Sequence, residues 1–218
     1  MSHPTPKSKK FKDIKAIIFD WSGVISDDRK PVYEANKAVL DKYGVPHEDF
    51  KTWLLNAQGA PATQFASKGI TTDSAILTEE YRISLEKSKQ DGIHPVIYLD
   101  IVDIIEKLAN IKKLFVVSSH PEDHLRLEAQ DYGIDKYFSL MLGSIKDKAI
   151  AIEGILKSIK ISPSSAMYVG DMVFDIRAAK RAGVISVGVS TGYHTKEQLL
   201  QENPDILIES LSELLNYV

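Results

Sequence analysis

Three short apolar runs end in a polar residue of a kind that can do chemistry. Lys15-Ala-Ile-Ile-Phe leads into Asp20, Leu114-Phe-Val-Val into Ser118, and Ala166-Met-Tyr-Val-Gly into Asp171. A carboxylate can act as a nucleophile or as a hard oxygen ligand for a divalent cation, and a hydroxyl can hydrogen-bond an anionic group. Asp175, shortly after Asp171, adds a further carboxylate. Each residue also has a plain structural use. An Asp at a strand end is a common turn former, and carboxylates at a helix start complement its dipole.

The runs that carry these residues have strand length and are apolar at successive positions, which predicts strands buried on both faces. Similar runs recur at residues 138–142, 184–189 and 206–208. Between them the apolar spacing becomes helical, as in Ile101, Ile104, Ile105 and Leu108, then Ile150, Ile152, Ile155 and Leu156, then Ile176, Ala179 and Ala182. Alternation of this kind predicts an α/β fold with a Rossmann-like, doubly wound parallel sheet, whose functional loops gather at the carboxyl ends of the strands. Asp20, Ser118 and Asp171 would then face one crevice.

Residues 29–94 break the alternation. Helical patterns cover residues 32–43, closed by Gly44, then 47–56 and 72–89, so the expectation is a small α-helical cap domain inserted after the first strand. Residues 13–28 and 95–218 would form the catalytic core, and both connections of the insert would lie close together above the crevice. Residues 58–64 read as a loop of the insert. Residues 1–12 are polar and basic, without the apolar centre of a secretion signal, and read as a disordered tail.

With 218 residues the chain can bury a sheet, and with no cysteine it has neither disulfides nor thiolate chemistry. A net charge of -3 from interspersed Lys and Glu gives no footprint for nucleic acid or anionic membrane, and no apolar run approaches the roughly 20 residues of a membrane span. The expectation is a cytoplasmic protein, monomer or homodimer, with a small-molecule partner.

Asp20-Trp-Ser-Gly-Val resembles the first motif of the haloacid dehalogenase superfamily, in which a strand ends in a nucleophilic Asp. Ser118 looks like the second motif, Lys148 at a helix start like the third, and Gly170-Asp171-Met-Val-Phe-Asp175 like the fourth, all in the family's order. The resemblance implies a Mg2+-dependent hydrolase, a phosphatase-like enzyme acting on a small phosphorylated substrate through an aspartyl-phosphate at Asp20. It implies that Mg2+ is held by Asp20, the Ser22 backbone carbonyl and Asp171, with Asp175 as a supporting or direct ligand. Ser118 and the Ser119 backbone N–H would hydrogen-bond the transferred group, and Lys148 would neutralise charge on it. Lys146 competes for the Lys role, although Asp147 as a helix N-cap places Lys148 in the first turn.

One position departs from the family pattern. Where phosphatases of the family carry an Asp that protonates the leaving oxygen, this chain has Ser22, whose hydroxyl is a poor acid near neutral pH. That favours substrates with good leaving groups, such as acyl phosphates. It also leaves open a phosphonatase- or dehalogenase-like hydrolase, or a binding or regulatory protein that has lost its chemistry. Trp21 reads as packing or as a pocket wall, Asp27 as a helix cap, and His120 and His124 as surface or loop histidines.

Overall fold

The protein is described from a computed structural model over Phe11, residues 13–57 and residues 61–218, the Ala62 side chain excepted. The expected tail lies outside these residues apart from Phe11, whose N–H donates to the Tyr217 carbonyl at 3.1 Å.

The first apolar run forms β1 (Ala16–Phe19), every residue of which is buried. A two-residue strand, β2 (Ser26–Asp27), follows, and then four helices: α1 (Arg29–Lys42), α2 (Phe50–Leu55), α3 (Pro61–Ser67) and α4 (Ser74–Gln90). The short β3 (Val96–Ile97) pairs antiparallel with β2, Ser26 opposite Ile97, so the two ends of the helical insert leave side by side. The chain continues as α5 (Ile101–Ala109), β4 (Lys113–Val117), α6 (Glu122–Asp131), β5 (Phe138–Leu142) and α7 (Lys148–Ile159). It ends with β6 (Ala166–Gly170), α8 (Val173–Arg181), β7 (Ile185–Val189), α9 (Lys196–Gln201) and β8 (Ile206–Ile208).

Six strands form one sheet in the order β5-β4-β1-β6-β7-β8, with every pairing parallel. Strand side chains alternate between faces, and each face has its own core. Ile17, Phe19, Leu114, Val116, Met167 and Val169 pack with α5 and α6, whereas Ala16, Ile18, Phe115, Val117 and Tyr168 pack with α7 and α8. Each fully buried Ile or Phe contributes about 1.5–3 kcal/mol of hydrophobic stabilisation, which is why strands of four or five residues suffice.

The helical insert has a core of its own, including Val39, Leu40, Phe65, Leu77, Tyr81 and Leu85. Its helices start where short acidic side chains satisfy free N–H groups: Asp49 accepts from Lys51 and Thr52, and Asp73 from Ala75. Gly44 closes α1 with a φ of 66°, a left-handed conformation that a residue without Cβ adopts freely. One expectation changes here. The loop expected over residues 58–64 is, from Pro61 onward, the helix α3, while residues 58–60 lie outside the described residues. Among the described residues no helix is long and apolar enough to cross a membrane.

Candidate active site

The sheet reverses its strand order at β1, with β4 on one side and β6 on the other. In open α/β sheets the crevice for ligands lies at the carboxyl end of such a switch point. Phe19 is in register with Val116 and with Val169, so Asp20, Ser118 and Asp171 emerge from three adjacent strands at one edge.

Asp20 is buried, its N–H donating to the Val169 carbonyl at 2.8 Å. Its Oδ1 accepts the Trp21 N–H at 2.8 Å and its Oδ2 meets the Lys148 ammonium at 2.7 Å. The same ammonium reaches Asp175 Oδ1 at 2.7 Å, so Lys148 bridges two carboxylates. The bridge depends on where α7 begins. Asp147 is its N-cap, accepting from Ala149 and Ile150, which places Lys148 at the first helical position facing the sheet edge. Lys146 is exposed and among the described residues forms no ion pair. It lines a groove of about 590 Å³ between β5 and α7 with Leu140 and Ile150.

Asp171 is fully buried. Its Oδ2 accepts the Tyr193 N–H at 2.6 Å, and its Oδ1 has no hydrogen-bond partner. Oxygens of Asp20, Asp171 and Asp175 lie within 4.8 Å of one another, the one such group among the described residues. Burial raises the Asp171 carboxyl well above the ordinary carboxylate range, and the charges of Asp175 and Asp20 push it further. Burial also raises Asp175, with Lys148 opposing. Three buried carboxylates thus face one ammonium, and an orphaned buried oxygen is expensive. A divalent cation that prefers oxygen ligands fits this donor set and would satisfy Asp171 Oδ1. Glycine keeps room for the Asp171 carboxylate: a Cβ at Gly23, where φ is 74°, or at Gly192 would collide with it.

Ser118 is buried and its Oγ accepts the His120 N–H at 3.2 Å, while Ser119 beside it is half-buried. Ser22 lies in a tight turn in which the Trp21 carbonyl accepts from Ile25 and Ser26. Its Oγ donates to Asp28 Oδ2 at 2.5 Å. Asp28, not Asp27, is the residue that precedes α1, and its side chain caps nothing. Asp27 instead accepts from the Arg29 backbone and guanidinium.

Of the two histidines expected at the surface or in a loop, His120 lies in the loop before α6 and His124 on α6, and both are buried. His120 Nδ1 stands 3.5 Å from Asp28 Oδ2 and its Nε2 is 3.2 Å from Glu128 Oε1. Burial works against a charge on His120, but the hydrogen bonds to Asp28 and Glu128 prevail and hold its pKa up at about 10. Glu128 is correspondingly pulled down to about 2, burial opposing and His120 prevailing. Its Oε2 accepts the Trp21 indole N–H at 2.8 Å, so Trp21 is an anchored packing residue stacked on Tyr132. Sequence reasoning missed Asp28 and Glu128 altogether.

The insert reaches the site through Tyr193, whose hydroxyl donates to Asp28 Oδ1 at 2.9 Å and whose ring packs edge-on against Trp53 of α2. His194 Nδ1 accepts the Val173 N–H at 3.1 Å, which leaves Nε2 to donate to the Ala57 carbonyl at 3.0 Å. Beside this bridge, Asn56, Gln64, Lys68, Phe174 and His194 line a polar cleft of about 490 Å³.

With this geometry in place, the likenesses to known proteins fall into one group. The profile of the haloacid dehalogenase-like hydrolases matches residues 17–189. A phosphoglycolate phosphatase of Vibrio parahaemolyticus is 28% identical over 95% of this chain and 97% of its own. One from Escherichia coli is 27% identical over 94% and 93%. Among solved structures, a haloacid dehalogenase-like hydrolase from Streptococcus pneumoniae superposes with a TM-score of 0.84 at 23% identity, covering 94% of this chain and 99% of its own. A predicted phosphoglycolate phosphatase from Haemophilus somnus gives 0.77 at 22%, covering 94% and 97%.

Proposed function

Since the chain belongs to the haloacid dehalogenase-like hydrolases, we propose that it is a Mg2+-dependent phosphohydrolase that transfers the phosphoryl group of a small metabolite to Asp20 and then to water. The observation that carries this reading is the Asp20 carboxylate, pinned by the Trp21 N–H and the Lys148 ammonium with the carboxylates of Asp171 and Asp175 within 4.8 Å.

In this reading Asp20, the Ser22 carbonyl and Asp171 would hold Mg2+, with Asp175 in support, and the ion would supply positive charge against the repulsion between the Asp20 carboxylate and the incoming phosphate. Lys148 orients Asp20 and neutralises phosphoryl oxygens as they gain charge. The Ser118 hydroxyl and the Ser119 N–H orient the transferred group. Residues 29–94 act as a cap whose aromatic contact with Tyr193 lies above the reacting edge and limits water there.

The name of the relatives makes 2-phosphoglycolate the first substrate to assay, with nitrophenyl phosphate, acetyl phosphate and a phosphonate beside it. Turnover of phosphate esters that stops when Mg2+ is chelated is the expected result. Turnover of the phosphonate alone, or activity indifferent to chelation, contradicts the reading.

Metal affinity should separate main-chain from side-chain ligands. By calorimetry, Asp171→Ala should weaken Mg2+ by at least about 10–100-fold, the loss typical even of residues that only support a metal site. Ser22→Ala should change it little, because the proposed ligand there is a carbonyl. Gly192→Ala should lower affinity too, by displacing Asp171. Equal losses in Ser22→Ala and Asp171→Ala would contradict this ligand set.

A further inference from the structure

The loop between β7 and α9 touches both the carboxylate cluster and the helical insert. On the core side, the Tyr193 N–H holds Asp171 Oδ2 at 2.6 Å and the Thr191 hydroxyl donates to the Gly23 carbonyl at 2.8 Å. The Val173 N–H, between Asp171 and Asp175, donates to His194 Nδ1 at 3.1 Å. On the insert side, Arg29 of α1 donates to the Gly192 carbonyl at 3.3 Å, and the Tyr193 ring meets Trp53 at 5.7 Å between centroids. His194 Nε2 donates to the Ala57 carbonyl, just past α2, at 3.0 Å. Gly192, Tyr193 and His194, three consecutive residues, thus each face both bodies.

These contacts bear on how Asp171 is aimed. One of its oxygens is held by Tyr193 and the other has no partner, so a shift of the Tyr193 backbone would swing the free oxygen. Gly192 leaves no slack beside it, since even a Cβ there would strike the carboxylate. Packing alone does not call for an imidazole at position 194. An apolar side chain could fill that buried space, whereas a ring bonded through both nitrogens sets the Ala57 carbonyl and the Val173 N–H at fixed places relative to each other.

We propose that Tyr193 and His194 are positioning residues that couple the seating of the insert on the core to the aim of Asp171, so that a seated insert and a bound divalent cation stabilise one another. This rests on the reading in which Asp171 holds Mg2+ and residues 29–94 act as a cap. His194 ties the cap to the start of α8, and Tyr193 carries the same displacement to Asp171 through its N–H. The coupling is reciprocal: by whatever factor a seated cap tightens Mg2+, Mg2+ favours the seated cap. The carboxylate cluster is then fully aimed only when the cap is down, and slackens when the cap lifts to release product.

The chain carries its own reporter. Trp53, 4% exposed, is one of two tryptophans, and Trp21 is anchored in the core by Glu128. Acrylamide quenching of tryptophan fluorescence follows the cap, and calorimetry follows Mg2+ alone, without substrate. In wild type, Mg2+ should lower the quenching over the concentrations at which calorimetry sees it bind, and Trp53→Phe should remove that change. His194→Asn puts an amide oxygen where Nδ1 accepts from Val173 but falls short of Ala57. It should raise the quenching and weaken Mg2+ by about 5–150-fold, the usual range for coupled sites. His194→Gln, whose longer amide still reaches the Ala57 carbonyl, should recover part of both. A change in only one of the two readouts in His194→Asn, or in neither, overturns the proposal. So does Mg2+ that binds wild type without lowering the quenching, a result that stands even if His194→Asn does not fold. A wild type that binds no Mg2+ overturns the metal-dependent reading itself.

Discussion

Asp20→Asn should reduce phosphate-ester turnover to background, a loss of more than about 10,000-fold of the size seen when a catalytic nucleophile is removed, in a protein that still folds. The asparagine oxygen can keep the Trp21 N–H bond now made by Oδ1, so the turn after β1 survives. Its amide, however, would point a donor at the Lys148 ammonium, where Asp20 Oδ2 accepts at 2.7 Å. That mismatch costs about 1–3 kcal/mol as an unsatisfied buried group, offset in part because one of three mutually repelling carboxylates is gone. Circular dichroism and urea denaturation should therefore show a native fold with somewhat reduced stability. Turnover above a small percentage of wild type, still dependent on Mg2+, would remove Asp20 from the role of nucleophile.

Lys148→Met should affect stability and chemistry together. The Lys148 side chain is 14% exposed and its ammonium bridges Asp20 and Asp175. Removing one partner from a buried ion pair typically destabilises by about 3–5 kcal/mol, because the remaining charge has lost its compensation. Here three carboxylates would remain without a cation, so part of the loss should return when Mg2+ is added, since a ligand that binds only the folded state stabilises it. The rate should fall by about 100 to 1,000-fold, the scale for one electrostatic contact to a developing charge. Lys146→Ala, at an exposed position two residues earlier, should stay within about 0.5 kcal/mol of wild type. Urea midpoints with and without Mg2+ measure both expectations. If Lys146→Ala were the more damaging variant, the bridge would not be the working arrangement.

The sheet was legible because its strands are buried on both faces. Ala16–Phe19 and Ala166–Gly170 have no polar alternation to confuse with a surface strand, and they lead directly into Asp20 and Asp171. That Lys148, and not Lys146, opens α7 was legible through Asp147, whose short carboxylate fixes the first turn of the helix. What was lost was lost for identifiable reasons. The proline that opens α3 reads as a breaker in a Gly-Ala-Pro context, yet Pro is well suited to the first position of a helix. In α6, His124 and Glu128 occupy buried positions beside Leu125 and Ala129, so its apolar period is broken and the helix looks solvated. The same substitution of polar for apolar residues hid the array behind Ser22. Asp28, His120 and Glu128 are far apart in sequence and individually unremarkable. Of the three, Asp28 is the one that position could have flagged, because it follows the Asp20 turn directly after β2.

Phosphoryl transfer to Asp20 is open to direct trapping. A crystal structure of the protein with Mg2+ and beryllofluoride, a mimic of a carboxylate-bound phosphoryl group, should show beryllium bonded to an Asp20 oxygen, with Lys148 and Ser118 in contact with the fluorines. Beryllofluoride bound at any other residue, or excluded from Asp20 while Mg2+ occupies the carboxylate cluster, would contradict it.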